Sequence, residues 1–115
     1  MKVPPAVQRA AQAALDKKAS EVVVLDLRKA TAFTDYFLLA SAANQKQLVA
    51  MADAVLEGLR DDGLRPVHRE GYPRQEWILL DYDDFVVHLF TPKSRRFYDL
   101  ERLWGGAARL EMDPS

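Results

Sequence analysis

The run from Trp77 to Phe90, Trp-Ile-Leu-Leu-Asp-Tyr-Asp-Asp-Phe-Val-Val-His-Leu-Phe, constrains the fold more than any other part of the chain. Two apolar runs flank Asp83-Asp84, a pattern that predicts a β-hairpin closed by a tight turn. With those two residues as the loop, Tyr82 pairs with Phe85, Asp81 with Val86, Leu80 with Val87, Leu79 with His88, Ile78 with Leu89 and Trp77 with Phe90. Successive strand side chains point to opposite faces, so the hairpin separates into two surfaces. One carries Ile78, Leu80, Tyr82, Phe85, Val87 and Leu89 and must be buried. The other carries Trp77, Leu79, Asp81, Val86, His88 and Phe90, greasy yet with two polar handles. Two readings stand for this second face. It is a contact surface anchored by Trp77, or a helix covers it and Trp77 is core.

The remaining elements follow from periodicity and punctuation. After Pro4-Pro5, the spacing of Val7, Ala11, Ala14 and Leu15 predicts a helix ending near Lys17-Lys18. Glu21 to Leu27 is apolar on both faces, as expected of a central strand, and Thr34 to Ala40 gives a turn and a second strand. Asn44 caps a helix, with Gln47 at capping-box spacing. Leu48, Met51, Ala52, Val55, Leu56 and Leu59 form its buried stripe, and Gly63 follows its last turn. Pro66 to Glu70 reads as a short strand and Gly71-Tyr72-Pro73 as a turn. Thr91-Pro92 starts a helix whose Phe97, Leu100, Leu103 and Trp104 keep helical spacing until Gly105-Gly106. The order α, β, β, α, β, β, β, α predicts an α/β (α+β) protein with a mixed, roughly five-stranded sheet flanked by helices.

Composition closes several routes. At 115 residues the chain suits one domain, expected to span 1–115. There is no cysteine, which removes disulfides, thiolate metal sites and cysteine nucleophiles. A formal net charge of -1 provides no global basic field to gather nucleic acid or anionic lipid. No run approaches the length of a membrane span and the start has no signal or transit character, so a cytoplasmic protein without a membrane partner is expected.

Three stretches together are similar to the ribosomal silencing factors, or Iojap-like family. They are Val-Val-Leu-Asp-Leu around Asp26 with Phe33-Thr34-Asp35-Tyr36-Phe37; Glu70-Gly71 with the Trp77 to Phe90 run; and Tyr98-Asp99-Leu100-Glu101-Arg102-Leu103-Trp104. The chain departs from the family at Asp83, where glycine is frequent, and at Ala42-Ala43-Asn44, in place of a more usual Gly-Thr-Ser. The resemblance implies a nucleotidyltransferase-like fold without enzymatic activity. It also implies binding to the large ribosomal subunit through universal large-subunit ribosomal protein fourteen, so that the small subunit cannot join and translation falls when nutrients are short. A homodimer also fits the family. On this reading the partner-binding residues are Trp77, Leu79, Asp81, His88 and Phe90 on the hairpin. Arg95 and Arg102 on the last helix are added as a minor contact to ribosomal RNA, set against the plainer reading of a solvated helix face.

The alternative is a metal-dependent nucleotidyltransferase-like enzyme. Such a site needs a Gly-Ser phosphate loop and carboxylates spaced for two metal ions. Ser41-Ala42-Ala43 lacks the glycine, and Asp83 and Asp84 stand where turns favour aspartate for conformational reasons. His68 and His88 are the only histidines and lack metal-ligand spacing. No catalytic residue, metal site or cofactor is therefore assigned.

Overall fold

A computed structural model describes residues 3–72 and 76–112. Along the chain these form α1 (Pro5–Asp16), β1 (Ser20–Asp26), β2 (Tyr36–Ser41), α2 (Gln45–Asp61), β3 (His68–Glu70), β4 (Trp77–Asp81), β5 (Phe85–Phe90), α3 (Pro92–Tyr98), a single turn α4 (Leu100–Leu103) and β6 (Ala108–Met112). The expected turn at Gly71-Tyr72-Pro73 extends outside the described residues.

The strands make one sheet in the order β3-β4-β5-β2-β1-β6. It has six strands, not five. The additional strand, β6, lies antiparallel to β1 at the edge, with Leu110 beside Val24. It follows Gly105-Gly106, and its residues are mostly exposed, so its alternation carries little apolar signal. The pairing β2·β5 is parallel and every other neighbour pair is antiparallel. Trp77 faces Phe90, Ile78 faces Leu89, Leu79 faces His88, Leu80 faces Val87 and Asp81 faces Val86. That is the register the apolar alternation predicts.

Helices α1 and α2 cover the first face of the sheet. Asn44 accepts a hydrogen bond from the Gln47 backbone N–H at 2.9 Å, while Gln47 Oε1 accepts from the Ala43 N–H at 2.7 Å. The departure from Gly-Thr-Ser therefore keeps a working helix cap. Beneath these helices lie Val22, Val24, Leu38, Ala40, Ile78, Leu80, Val87 and Leu89 in one buried cluster with Val7, Met51 and Val55. The second face has its own, smaller cluster of Val23, Leu25, Leu27, Leu39 and Phe90, with Trp77, Leu100 and Trp104 packed against it.

The hairpin turn holds Asp83 at φ 73°, a left-handed conformation that costs an L-residue about 1–2 kcal/mol and glycine nothing. The Asp81 carboxylate accepts the Asp83 backbone N–H at 2.8 Å, a bond that does not need the Asp83 side chain. Asp83→Gly is therefore expected to stabilise the protein by about 0.5–1 kcal/mol, raising Tm by roughly 3 °C. An unchanged or lower Tm would show that the turn is not strained.

Candidate functional site

The second face is covered unevenly because the segment laid across it is short and broken. After α3, Asp99 adopts φ 48° and interrupts the helix before α4 begins. Leu100 and Trp104 then turn inward, but Phe97 (79% exposed) and Leu103 (70%) face solvent. This corrects the expectation of one helix in which Phe97, Leu100, Leu103 and Trp104 keep their spacing until Gly105-Gly106. A left-handed residue resets the rotation of every side chain after it.

Beneath this segment the hairpin residues part company. Phe90 and His88 on β5 are 1% and 4% exposed, so they form the floor of the face and not its surface. Their strand lies mid-sheet, between β4 and β2. Trp77, Leu79 and Asp81 on β4 remain half-buried. The Trp77 ring lies 4.1 Å from that of Tyr98 and stacks on Phe90 at 5.9 Å. Trp77, Leu79, Phe97 and Tyr98 line a groove of about 960 Å3, bordered by charges of both signs, Lys93 and Arg96 with Glu70 and Glu76. Phe97 and Tyr98 are thus site residues that the residue pattern did not single out. Both rings are exposed on the last turn of α3, before the break at Asp99, and nothing in the helical spacing announces it.

The two polar handles have definite partners. Trp77 Nε1–H donates to His88 Nδ1 at 3.1 Å, which fixes the ring of the anchor tryptophan. Since an indole N–H only donates, His88 is neutral and carries its proton on Nε2. Burial pushes the His88 pKa down to about 3. Asp81 supports the turn through Asp83, as already described, and belongs to no acid–base pair with His88. Among the described residues no group of three or more His, Asp or Glu side chains is positioned to hold a metal ion.

Arg95 also sits inside, 8% exposed, which corrects its placement as an RNA contact. Its Nε donates to Glu101 Oε1 at 2.8 Å, and its Nη1 donates to the Glu21 carbonyl at 2.7 Å and to Ser41 Oγ at 2.8 Å. Arg109 closes on the other Glu101 oxygen at 2.9 Å. Burial raises the Glu101 pKa, but the Arg95 and Arg109 contacts outweigh it and hold the carboxyl below its ordinary value. One guanidinium thus ties α3 and α4 to β1 and β2. Arg102, by contrast, is exposed, and its guanidinium lies 4.0 Å from the Asp99 carboxylate.

The family model described as ribosomal silencing factor during starvation matches residues 1–115. The chain belongs to the ribosomal silencing factor family. A ribosomal silencing factor of Halalkalibacterium halodurans is 36% identical over 107 residues, covering 93% of this chain and 92% of the relative. Its Bacillus subtilis counterpart is 35% identical, covering 90% and 88%. The chloroplastic Iojap protein of Zea mays is 34% identical over 89% of this chain but only 44% of its own length. A crystal structure from Chromobacterium violaceum superposes with a TM-score of 0.86 at 33% identity, covering 100% of this chain and 92% of that one. The fold described above is therefore that of the silencing factors, with its mixed sheet and helices.

Two outcomes follow from these contacts. Keeping His88 neutral supplies stability that is complete above its ordinary pKa near 6.5 and is lost as pH falls from there towards 3, at up to about 1.4 kcal/mol per pH unit. Wild type should lose more stability than His88→Phe between pH 6.5 and 4 in urea unfolding, and parallel curves would contradict the buried neutral imidazole. Arg95→Met should cost about 2–4 kcal/mol, since it removes one of the two guanidinium partners of Glu101 and the donor to two further acceptors, whereas Arg102→Ala should stay within about 0.5 kcal/mol. Equal effects would refute the structural role of Arg95.

Proposed function

We propose that this silencing factor represses translation by docking the Trp77 face on the large ribosomal subunit, against universal large-subunit ribosomal protein fourteen, where its bulk keeps the small subunit from joining. The observation that carries this reading is the uneven cover on the second face. A rigid, half-buried tryptophan stands beside exposed Phe97 and Tyr98 on a family of ribosomal silencing factors. Rigid aromatic anchors flanked by aliphatic and charged groups are the usual centre of a protein interface. Steric occlusion needs affinity and position, and no catalytic group takes part in it.

Apolar surface contributes roughly 25 cal/mol per Å2 when removed from water. Trp77 is already half covered by Tyr98 and Phe90, so Phe97 shares the anchoring with it, and Leu79 fills between them. Lys93, Arg96 and Arg102 lie on the exposed side of the C-terminal segment, and any contact with ribosomal RNA falls to them and not to Arg95. A homodimer formed through the same face would compete with the ribosome. The chain acts as a single silencing-factor domain over 1–115, in the cytoplasm. Among the described residues no helix is long and apolar enough to cross a membrane.

Trp77→Ala and Phe97→Ala should each weaken co-sedimentation with purified large subunits by about 2 kcal/mol, close to 30-fold. Phe97 is exposed, so its truncation leaves the fold intact and isolates the docking term. Wild-type binding by both variants would overturn the proposed face. Arg96→Ala/Arg102→Ala should flatten the salt dependence of binding if phosphates are touched, and an equal slope would dismiss the RNA contact.

A further inference from the structure

The sheet ends in a strand whose outer side is bare. β6 stands last in the order β3-β4-β5-β2-β1-β6, paired with β1 on one side and, among the described residues, with no strand on the other. Its outward main-chain N–H and C=O groups are a template on which a further strand assembles. The side chains of β6 divide between the two faces. Ala108, Leu110 and Met112 lie on the face covered by α1 and α2, where Leu110 and Met112 pack at the margin of the buried cluster. Arg109 and Glu111 lie on the other face, 3.2 Å apart, and Arg109 also reaches Glu101 at 2.9 Å.

Charges on an edge strand ordinarily keep other strands away. Here their order admits one register. Two copies that meet edge to edge about a two-fold axis normal to the sheet run antiparallel, and opposed residues share a face, so the axis passes through a residue and not between two. An axis at Arg109 opposes two arginines and an axis at Glu111 opposes two glutamates, and like charges directly opposed are unfavourable. An axis at either end of the strand pairs only half of it. An axis at Leu110 sets Arg109 against the partner's Glu111 twice over, with Leu110 against Leu110 and Ala108 against Met112 on the opposite face. The other edge, β3, lacks this property, because a two-fold at its central Arg69 opposes two arginines.

We infer that β6 is a self-pairing edge, through which two copies of this chain join antiparallel about Leu110 and extend one sheet across both. The pairing is independent of the ribosome-docking face. β6 lies at the opposite end of the sheet from β4, so the Trp77 face of each copy stays open in such a dimer. Five residues from each copy make a small interface, which gives a weak dimer in exchange with monomer.

Sedimentation velocity between about 10 μM and about 1 mM should show a monomer–dimer equilibrium, the affinity range of a small interface. Glu111 is exposed and pairs with Arg109 of its own strand, so Glu111→Arg leaves the fold intact and should weaken the dimer by roughly tenfold or more. The chain has no cysteine, so an introduced thiol reads the register directly. Opposed Cα atoms in an antiparallel pair lie about 4.5–5.5 Å apart, within disulfide reach, so Leu110→Cys should cross-link on mild oxidation and Glu111→Cys should not. A monomer at every concentration, with no cross-link in Leu110→Cys, overturns the pairing. So does a dimer that survives Glu111→Arg but is lost in Trp77→Ala, which assigns self-association to the Trp77 face. Faster cross-linking of Glu111→Cys than of Leu110→Cys overturns the register about Leu110.

Discussion

A sheet that is apolar on both faces must be covered on both, and this chain has enough helix to cover only one of them fully. The long helices α1 and α2 seal the face bearing Val24, Leu38, Leu80 and Leu89. What remains for the other face is α3, the single turn α4 and the Trp104 turn, which bury Phe90 and Leu39 but leave Phe97 and Leu103 in solvent. That shortfall, several large apolar side chains gathered on one side, is what distinguishes a binding surface from an incidental exposed residue.

The incomplete cover is held in a fixed place. Arg95 reaches from α3 to the Glu21 carbonyl and to Ser41, and Glu101 joins Arg95 to Arg109 on β6. The Glu21 carbonyl is available because β1 is irregular between Ser20 and Val23, with Glu21 at φ 49°. A ladder defect at one end of the sheet thus becomes the attachment point for the segment that frames the groove at the other. Buried guanidinium groups are costly to desolvate, and such networks stabilise only when every partner is present. The Trp77–His88 hydrogen bond works similarly on a smaller scale. It limits the orientations of the tryptophan before any partner arrives, which reduces the entropy lost on docking.

The hairpin was the most legible part of the sequence, because two strands that alternate perfectly on one face admit one register and a slip would bury Asp81 or expose Leu80. The helix from Asn44 was equally legible, since its cap, stripe and terminal glycine agree. The choice between an open and a covered second face could not be made from residues alone, and the structure answers it residue by residue: β5 is covered and β4 is half open. Two features left no local trace. The left-handed Asp99 looks like any polar helix residue, and β6 lacks the apolar alternation that would mark it. Arg95 was misplaced for a related reason, because a charged residue on a helix is usually solvated and its burial depends on a carbonyl 74 residues away in sequence.

Site-specific photo-cross-linking to large subunits measures the orientation of the bound protein most directly. A benzophenone side chain replacing Phe97 should label a ribosomal protein, while one replacing Glu57 on the α2 surface should label nothing. Cross-links from position 57 with none from position 97 would mean that the sealed face of the sheet meets the ribosome and that the half-covered face does not.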